Sequence, residues 1–264
     1  MIFVRVDPNS PSHQAFWKAW RKAAAAATVD YIEKRGRDPN APFDPSVWIE
    51  LRNWLRDNVF NDKCAYCESK LSVVGYGDAE HYRPKKKVTR GLASDNTTVQ
   101  HSGYYWLAYT WQNILPACTR CNTKGKRNQF PIRAQRYVNI ENANPTQLDS
   151  KEDPLLIHPS KRDPRKHLLF DKKGRVAPRT AGDPYAEATI RVLQLNREEL
   201  RKAREDAWRA ARRDLLFVLE AEDETAIEEF YARFAKGTEA YSAAVLDMLD
   251  GMLTRMGAVV AASG

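Results

Sequence analysis

The sequence predicts a mainly α-helical fold wrapped around a small, irregular, metal-stapled centre. Three observations carry this. Apolar residues recur at three- and four-residue intervals toward both ends of the 264-residue chain. Between them lies a polar stretch without sustained periodicity of either kind. All four cysteines fall in that stretch, in two identical C-x-x-C spacings, Cys64/Cys67 and Cys118/Cys121. The expected organisation is residues 1–59 as an N-terminal strand and helices, 60–140 as the cysteine-bearing centre, 141–183 as a basic, proline-rich loop region, and 184–264 as a helical region. No internal repeat is evident.

In chain order, residues 2–6 alternate enough for a short strand. Residues 12–34 read as a helix, with Ser10 or Ser12 as cap, Phe16, Trp17 and Trp20 as anchors, and an alanine run of high helix propensity. A loop rich in Pro and Asp follows at 35–45. Residues 45–58 form a second amphipathic helix, with Asp44 as its cap and Trp48, Leu51, Trp54 and Leu55 on one face. Prolines at 145, 154, 159, 164 and 178 mark 141–183 as loop. Helices are expected over 186–195, 197–219 and 223 to about 260. The last carries a stripe of Val245, Leu246, Leu249, Met252, Leu253 and Met256, read first as core and second as a docking face.

A hydrophobic content of 43% supports a folded globule. No apolar run approaches the roughly 18 residues that a membrane span needs, and no secretory signal pattern opens the chain, so a soluble, cytoplasmic protein is expected. A net charge of +8 favours polyanionic partners only weakly. Its distribution says more. Arg83 to Arg90 holds five basic residues and no acid, and Arg120 to Arg136 holds six and no acid. Both runs adjoin cysteine pairs, which points to a phosphate-binding surface rather than merely solvated loops.

Two C-x-x-C pairs with no cysteine left over are a strong zinc signal, since each tight turn offers two thiolates of a tetrahedron. A thioredoxin-like couple would need one pair in a strand–helix context, and disulfides do not suit a chain without a secretory signal. Four thiolates leave zinc no open position, so this metal is a staple and chemistry must come from elsewhere. Glu80 and His81 in DAEHYRPK, Asn113 in WQNILPAC and Asn122 after the last cysteine are the candidates. A strand ending at His81, a return strand, and a short helix from CNTKGK would bring Glu80, His81 and Asn122 together.

The succession of C-x-x-C, EHYRPK, YYWLAYTWQNILPACTRCN and FP resembles the HNH endonuclease family, with its ββα-metal core. It is most similar to the PtuB-like branch that accompanies SMC/RecF-like ATPases in Septu and some retron anti-phage systems. DPLLIHPSKRDPRKHLLFDKKGRV and TIRVLQLNREELRKAR extend the resemblance, which covers roughly residues 55–205. It implies a metal-dependent nuclease acting on nucleic acid, DNA first, with an ATPase partner and no membrane. His81 matches the general base, and Glu80 the acidic ligand of a catalytic ion. Asn113 matches the middle asparagine that orients the loop. Asn122 stands where many members place a metal-binding histidine, with Asn128 as a rival ligand. Amide and carboxylate oxygens suit Mg²⁺ or Mn²⁺. Arg83, Lys85, Lys86, Lys124, Lys126 and Arg127 would hold the phosphate backbone. The competing expectation is a zinc-stapled binding module without catalysis.

Other features read more plainly. His158 and His167 flank a basic turn and are expected at the surface. Tyr104, Tyr105, Trp106, Tyr109 and Trp111 are expected in the core rather than stacked on bases, because no basic residue lies among them. The helical tail is the candidate for partner docking.

Overall fold

The computed structural model describes residues 1–75, 77–88, 90–92, 101–134, 137–138, 141–221 and 224–255. It is mainly helical, with a few short strands. Residues 2–6 form no strand; Val4 is tied by its N–H to the Pro159 carbonyl at 3.0 Å. Helix α1, Gln14–Arg37, starts later than expected. The Ser10 and Ser12 hydroxyls face each other at 2.9 Å instead of capping, and Pro11–His13 winds as a tight turn. Trp17, Trp20, Ala24 and Tyr31 form the buried stripe of α1.

Helix α2, Ser46–Asn58, has Pro45 rather than Asp44 at its N-cap; Asp44, one residue earlier, accepts the Ser46 N–H on Oδ1 at 2.8 Å. It buries Val47, Trp48, Leu51 and Leu55. Trp54 is half-buried and stacks on Phe16 at 4.8 Å, while Trp20 Nε1 donates to the Val47 carbonyl. These contacts lock the two helices together.

The centre contains the one-turn helix α3, Leu71–Val74, then strands β1, Asp78–His81, and β2, Arg90–Leu92. Strand β3, Ile114–Ala117, leads into a π-wound segment, Arg120–Lys126, and on to β4, Gln129–Ile132. β1 and β3 pair antiparallel with His81 opposite Ile114 and Glu80 opposite Leu115, whereas β2 and β4 pair parallel. A strand, a return strand and a helical segment therefore follow in the anticipated order. The winding is wider than an α-helix: the Arg127 N–H reaches back five residues to the Asn122 carbonyl at 2.7 Å.

Residues 141–183 hold more regular structure than their prolines suggest. Helix α4, Pro145–Glu152, is capped by Asn144, whose side chain accepts from Gln147 N–H while Gln147 Oε1 accepts from Asn144 N–H. Strands β5, Leu168–Phe170, and β6, Val176–Pro178, form an antiparallel hairpin. Helices α5, Pro184–Val192, and α6, Glu198–Glu220, match expectation within three residues.

The single long final helix expected from 223 is instead two: α7, Glu224–Ala235, and α8, Ser242–Arg255. Gly237 adopts φ +66° and ends α7, with its N–H on the Phe234 carbonyl and the Thr238 hydroxyl on the Arg233 carbonyl. Of the apolar stripe, Val245, Leu246 and Leu249 are buried, so the core reading holds for them; Met256 and the side chain of Leu253 lie outside the described residues.

One buried cluster runs from Trp17 through the cysteines and Phe130 to Leu249. Tyr104, Tyr105, Trp106 and Tyr109 belong to it, and Trp111 packs on it half-buried. Among the described residues, no helix is long and apolar enough to cross a membrane.

Candidate active site and metal clip

Cys64 and Cys67 sit on a tight turn in which Cys64 N–H bonds the Ser69 carbonyl and Glu68 N–H bonds the Cys64 carbonyl. The turn closes through Glu68 in the left-handed region at φ 64°. Ala65 N–H donates to the Pro116 carbonyl, hooking the turn onto β3, whose end delivers Cys118 and Cys121. All four cysteines are free and buried, and their sulfurs lie within 4.8 Å of one another.

Cys67 Sγ and Cys118 Sγ are 3.7 Å apart, far beyond a disulfide bond of about 2.05 Å. Tetrahedral zinc with bonds of about 2.3 Å would space its sulfurs about 3.8 Å apart. The donor set therefore fits a metal such as zinc. Cys118 N–H points at Cys64 Sγ and Arg197 Nη2 at Cys121 Sγ, at 3.3 and 3.8 Å. A ZnS₄ centre carries net negative charge, and Arg197, at the start of α6, supplies positive charge beside it. Nothing in the residues around the cysteines points to that distant partner.

Below the clip a cavity of about 400 Å³ is lined by Glu80, His81, Lys85, Asn122 and Asn128, with Lys86, Lys87 and Arg127 among the residues around it. Asn113 lies behind it, buried. Its Oδ1 accepts the Arg83 N–H at 2.7 Å, while Nδ2 donates to the Arg83 and Leu107 carbonyls. It thereby fixes the chain leaving β1 against the loop before β3.

His81 Nε2 is 3.0 Å from the Ala108 carbonyl. A carbonyl only accepts, so Nε2 carries the proton and Nδ1 keeps its lone pair. The ring stands edge-on to Trp48 at 4.8 Å. Burial, reinforced by the Lys85 charge, holds the imidazolium well below its ordinary range, so His81 is neutral at pH 7.

Asn122 Nδ2 donates to Asp78 Oδ2 at 3.2 Å, and Thr123 Oγ1 reaches the same oxygen at 3.3 Å. With Nδ2 engaged there, Oδ1 is left for the cavity. Asp78 was missed in the sequence. The available signal was its i, i+2 relation to Glu80 on one strand face.

Two expected phosphate contacts are corrected. Arg83 is buried, paired with Glu152 and with Asp149 at 2.8 Å, and packed on Tyr104 and Phe130. Lys126 is fully buried: Nζ lies 2.6 Å from Glu80 Oε1 and donates to the His81 carbonyl at 2.8 Å. Neither faces solvent, because each neutralises an interior carboxylate. Glu80 and Lys126 form a buried ion pair. Burial still pushes the Glu80 carboxyl above the usual range, against the pull of Lys126. Lys86, Lys124 and Arg127 are exposed, and Lys85 is partly so.

His158 is a third correction. It is buried against Tyr82, with Nε2 on the Gln112 carbonyl and Nδ1 accepting the Ser160 N–H. His167 is half-buried and pairs with Asp183 at 2.6 Å.

Comparison with known proteins gives a consistent set of relatives. The chain is 36% identical to Septu protein PtuB of Bacillus mycoides (strain KBAB4) over 64% of its own length and 54% of the relative's. It is 29% identical to Septu protein PtuB of Bacillus thuringiensis over 72% and 52%, respectively. A third similarity, 32% identity, is to Septu protein PtuA of Bacillus mycoides, covering 56% of this chain and 20% of that protein. The chain thus spans about half the length of the PtuB relatives it matches. The similarity to PtuB-like Septu components read from the motifs is borne out. No protein-family model matches the chain, so the HNH assignment rests on the motifs.

Proposed function

We propose that this chain is a metal-dependent HNH-type endonuclease, the nuclease component of an anti-phage system of the Septu kind. The observation that carries it is the cavity joining Glu80, His81, Asn122 and Asn128 beneath a four-cysteine clip. The similarity to Septu proteins supports the defence setting. Similarity to proteins named PtuB and PtuA supports an SMC/RecF-like ATPase as partner, as the motif resemblance implies.

The chemistry is phosphodiester hydrolysis. His81 Nδ1 takes a proton from water, whose oxygen attacks phosphorus in line. The Ala108 carbonyl keeps the imidazole in the tautomer this requires, and Asn113 holds the adjoining Leu107 carbonyl of the same loop. Glu80, through the oxygen not facing Lys126, and Asn122 or Asn128 would hold a hard divalent ion such as Mg²⁺ or Mn²⁺. Such an ion, when bound, offsets the charge that builds on the phosphate. Exposed Lys86, Lys124 and Arg127 grip the backbone without reading sequence.

The buried Glu80–Lys126 pair favours a second reading, a binding module in which lysine has displaced the catalytic ion. Plasmid nicking with Mg²⁺, by the protein alone and with its ATPase partner, separates the two. Cleavage by wild type and none by His81→Ala, with zinc content and melting temperature unchanged, supports the nuclease. Retained DNA binding without cleavage in both conditions supports the module.

A further inference from the structure

Lys85 stands apart from the other basic residues of the cavity. Lys86 and Lys87 are exposed side chains free to sweep solvent. The Lys85 ammonium is held in an aromatic slot, 4.6 Å from the Trp48 ring centre and 5.7 Å from that of Phe43. The same Trp48 ring fixes His81 edge-on. Lys85 Nζ lies 3.4 Å from His81 Nδ1, the ring nitrogen that carries no proton. A cation beside the basic nitrogen adjoins the place where water must bind to be deprotonated, and so lies within reach of the phosphate that water attacks.

We propose that Lys85 is a catalytic residue of this cleavage: it rests against His81 Nδ1 and, when a phosphodiester enters, turns its N–H groups to a non-bridging oxygen. The inference rests on the nuclease reading above. It separates Lys85 from the backbone-gripping residues, with which the sequence grouped it.

The step balances as follows. Water gives its proton to His81 Nδ1, and its oxygen forms the bond to phosphorus. The P–O3′ bond breaks, and the 3′ oxygen leaves with the bonding pair and is protonated by solvent. Lys85 keeps all its protons and stabilises charge on the non-bridging oxygen, strongest in the pentacoordinate state. Its departure from Nδ1 also uncovers the lone pair that water needs. Substrate arrival and unmasking of the base are thus one motion.

The slot also sets a pH limit. Burial brings the Lys85 ammonium down to about 8. Glu80 favours its charged form, while Lys86 and Lys126 oppose it; His81 adjoins it as a neutral ring. Helix α2 and the segment before it present the uncharged Trp48 and Phe43 rings. A catalyst that must stay protonated loses activity as pH rises through that value.

The test is single-turnover nicking of supercoiled plasmid with Mn²⁺, using full-length protein with its ATPase partner, across pH 6–10. Lys85→Met is expected to lower the cleavage rate about a hundredfold at pH 7 with little change in KM. Lys86→Met is expected to act mainly on KM and its salt dependence. Lys85→Arg, which stays charged, is expected to retain part of the activity and lose the alkaline fall. Zinc content and circular dichroism verify that each variant folds. A wild-type rate and unchanged alkaline limb in Lys85→Met overturn the Lys85 role and leave the nuclease reading intact. A wild type inert throughout overturns both.

Discussion

Burial of His158 as a neutral ring, with Asp149 opposing that burial only in part, shapes how the fold meets acid. Both ring nitrogens are satisfied in the neutral form: Nε2–H on a carbonyl, Nδ1 on an N–H. A second proton on Nδ1 would face the Ser160 donor. Burial accordingly drives the imidazolium down to about 3. The unfolded chain takes that proton near pH 6.5 and the folded one does not, so this stabilisation is full above 6.5 and lost as pH falls toward 3. Between pH 6.5 and 5 the loss from this group is about 2 kcal/mol. Denaturant melts of His158→Gln, whose amide can replace the donor to Gln112, are expected to show a shallower decline than wild type over that interval. Identical slopes would mean that His158 is accessible. The residue was misread from sequence because the basic turn after it, SKRDPRK, predicts solvent, while the apolar Leu155, Leu156 and Ile157 just before it are buried. Arg83 and Lys126 were misread for the same reason. Within a basic run, nothing local tells which side chain turns inward. Arg83 does so because Glu152, 69 positions away, waits in the core.

At the scale of elements, the clip and its strands were the most legible part of the chain. Cysteine spacing is local and metal geometry is fixed, so the two turns and the β1–β3 pair between them follow from few assumptions. The π winding of 120–126 did not. It depends on Gly125 nestling against α5, where an added Cβ would stand 3.2 Å from the Val192 carbonyl and 3.1 Å from that of Arg120. Helix α4 was legible and missed: Asn144-Pro145 with Gln147 three residues after the cap is a capping-box signature. Prolines were weighed as breakers where one of them starts a helix. Because the clip anchors both the end of β3 and the π segment, metal removal should act on the cavity too. Elemental analysis is expected to give one zinc per chain. Cys121→Ser is expected to lose the metal, with a melting temperature lower by about 10 °C for a loss of about 3 kcal/mol. Full stability in a metal-free variant would show that packing alone holds the turns.

The whole molecule settles how the helical tail is to be regarded. A docking role predicts that truncation after about residue 220 abolishes complex formation, and that loss reports on docking only if the rest of the chain stays folded without the tail. The contacts say otherwise. The turn between α7 and α8 accepts the Lys63 ammonium on the Gly237 and Glu239 carbonyls and Lys70 on that of Thr238. The Tyr241 hydroxyl lies 3.1 Å from Ser69 Oγ, which is itself 3.2 Å from Cys67 Sγ. Ala243 N–H reaches Glu68, and Val245, Leu246 and Leu249 close the core above. Removing α7 and α8 would leave Lys63 and Glu68 buried without several partners and open apolar surface beside the metal turn. A chain ending at residue 220 is therefore expected to bind less than one zinc, lose near-ultraviolet dichroism and unfold without a cooperative transition. Loss of partner binding in such a fragment would report unfolding, not a missing interface. If the fragment instead stays folded and zinc-loaded and fails only to bind the ATPase, the tail is a detachable arm. The contacts around Lys63 are then incidental to the clip.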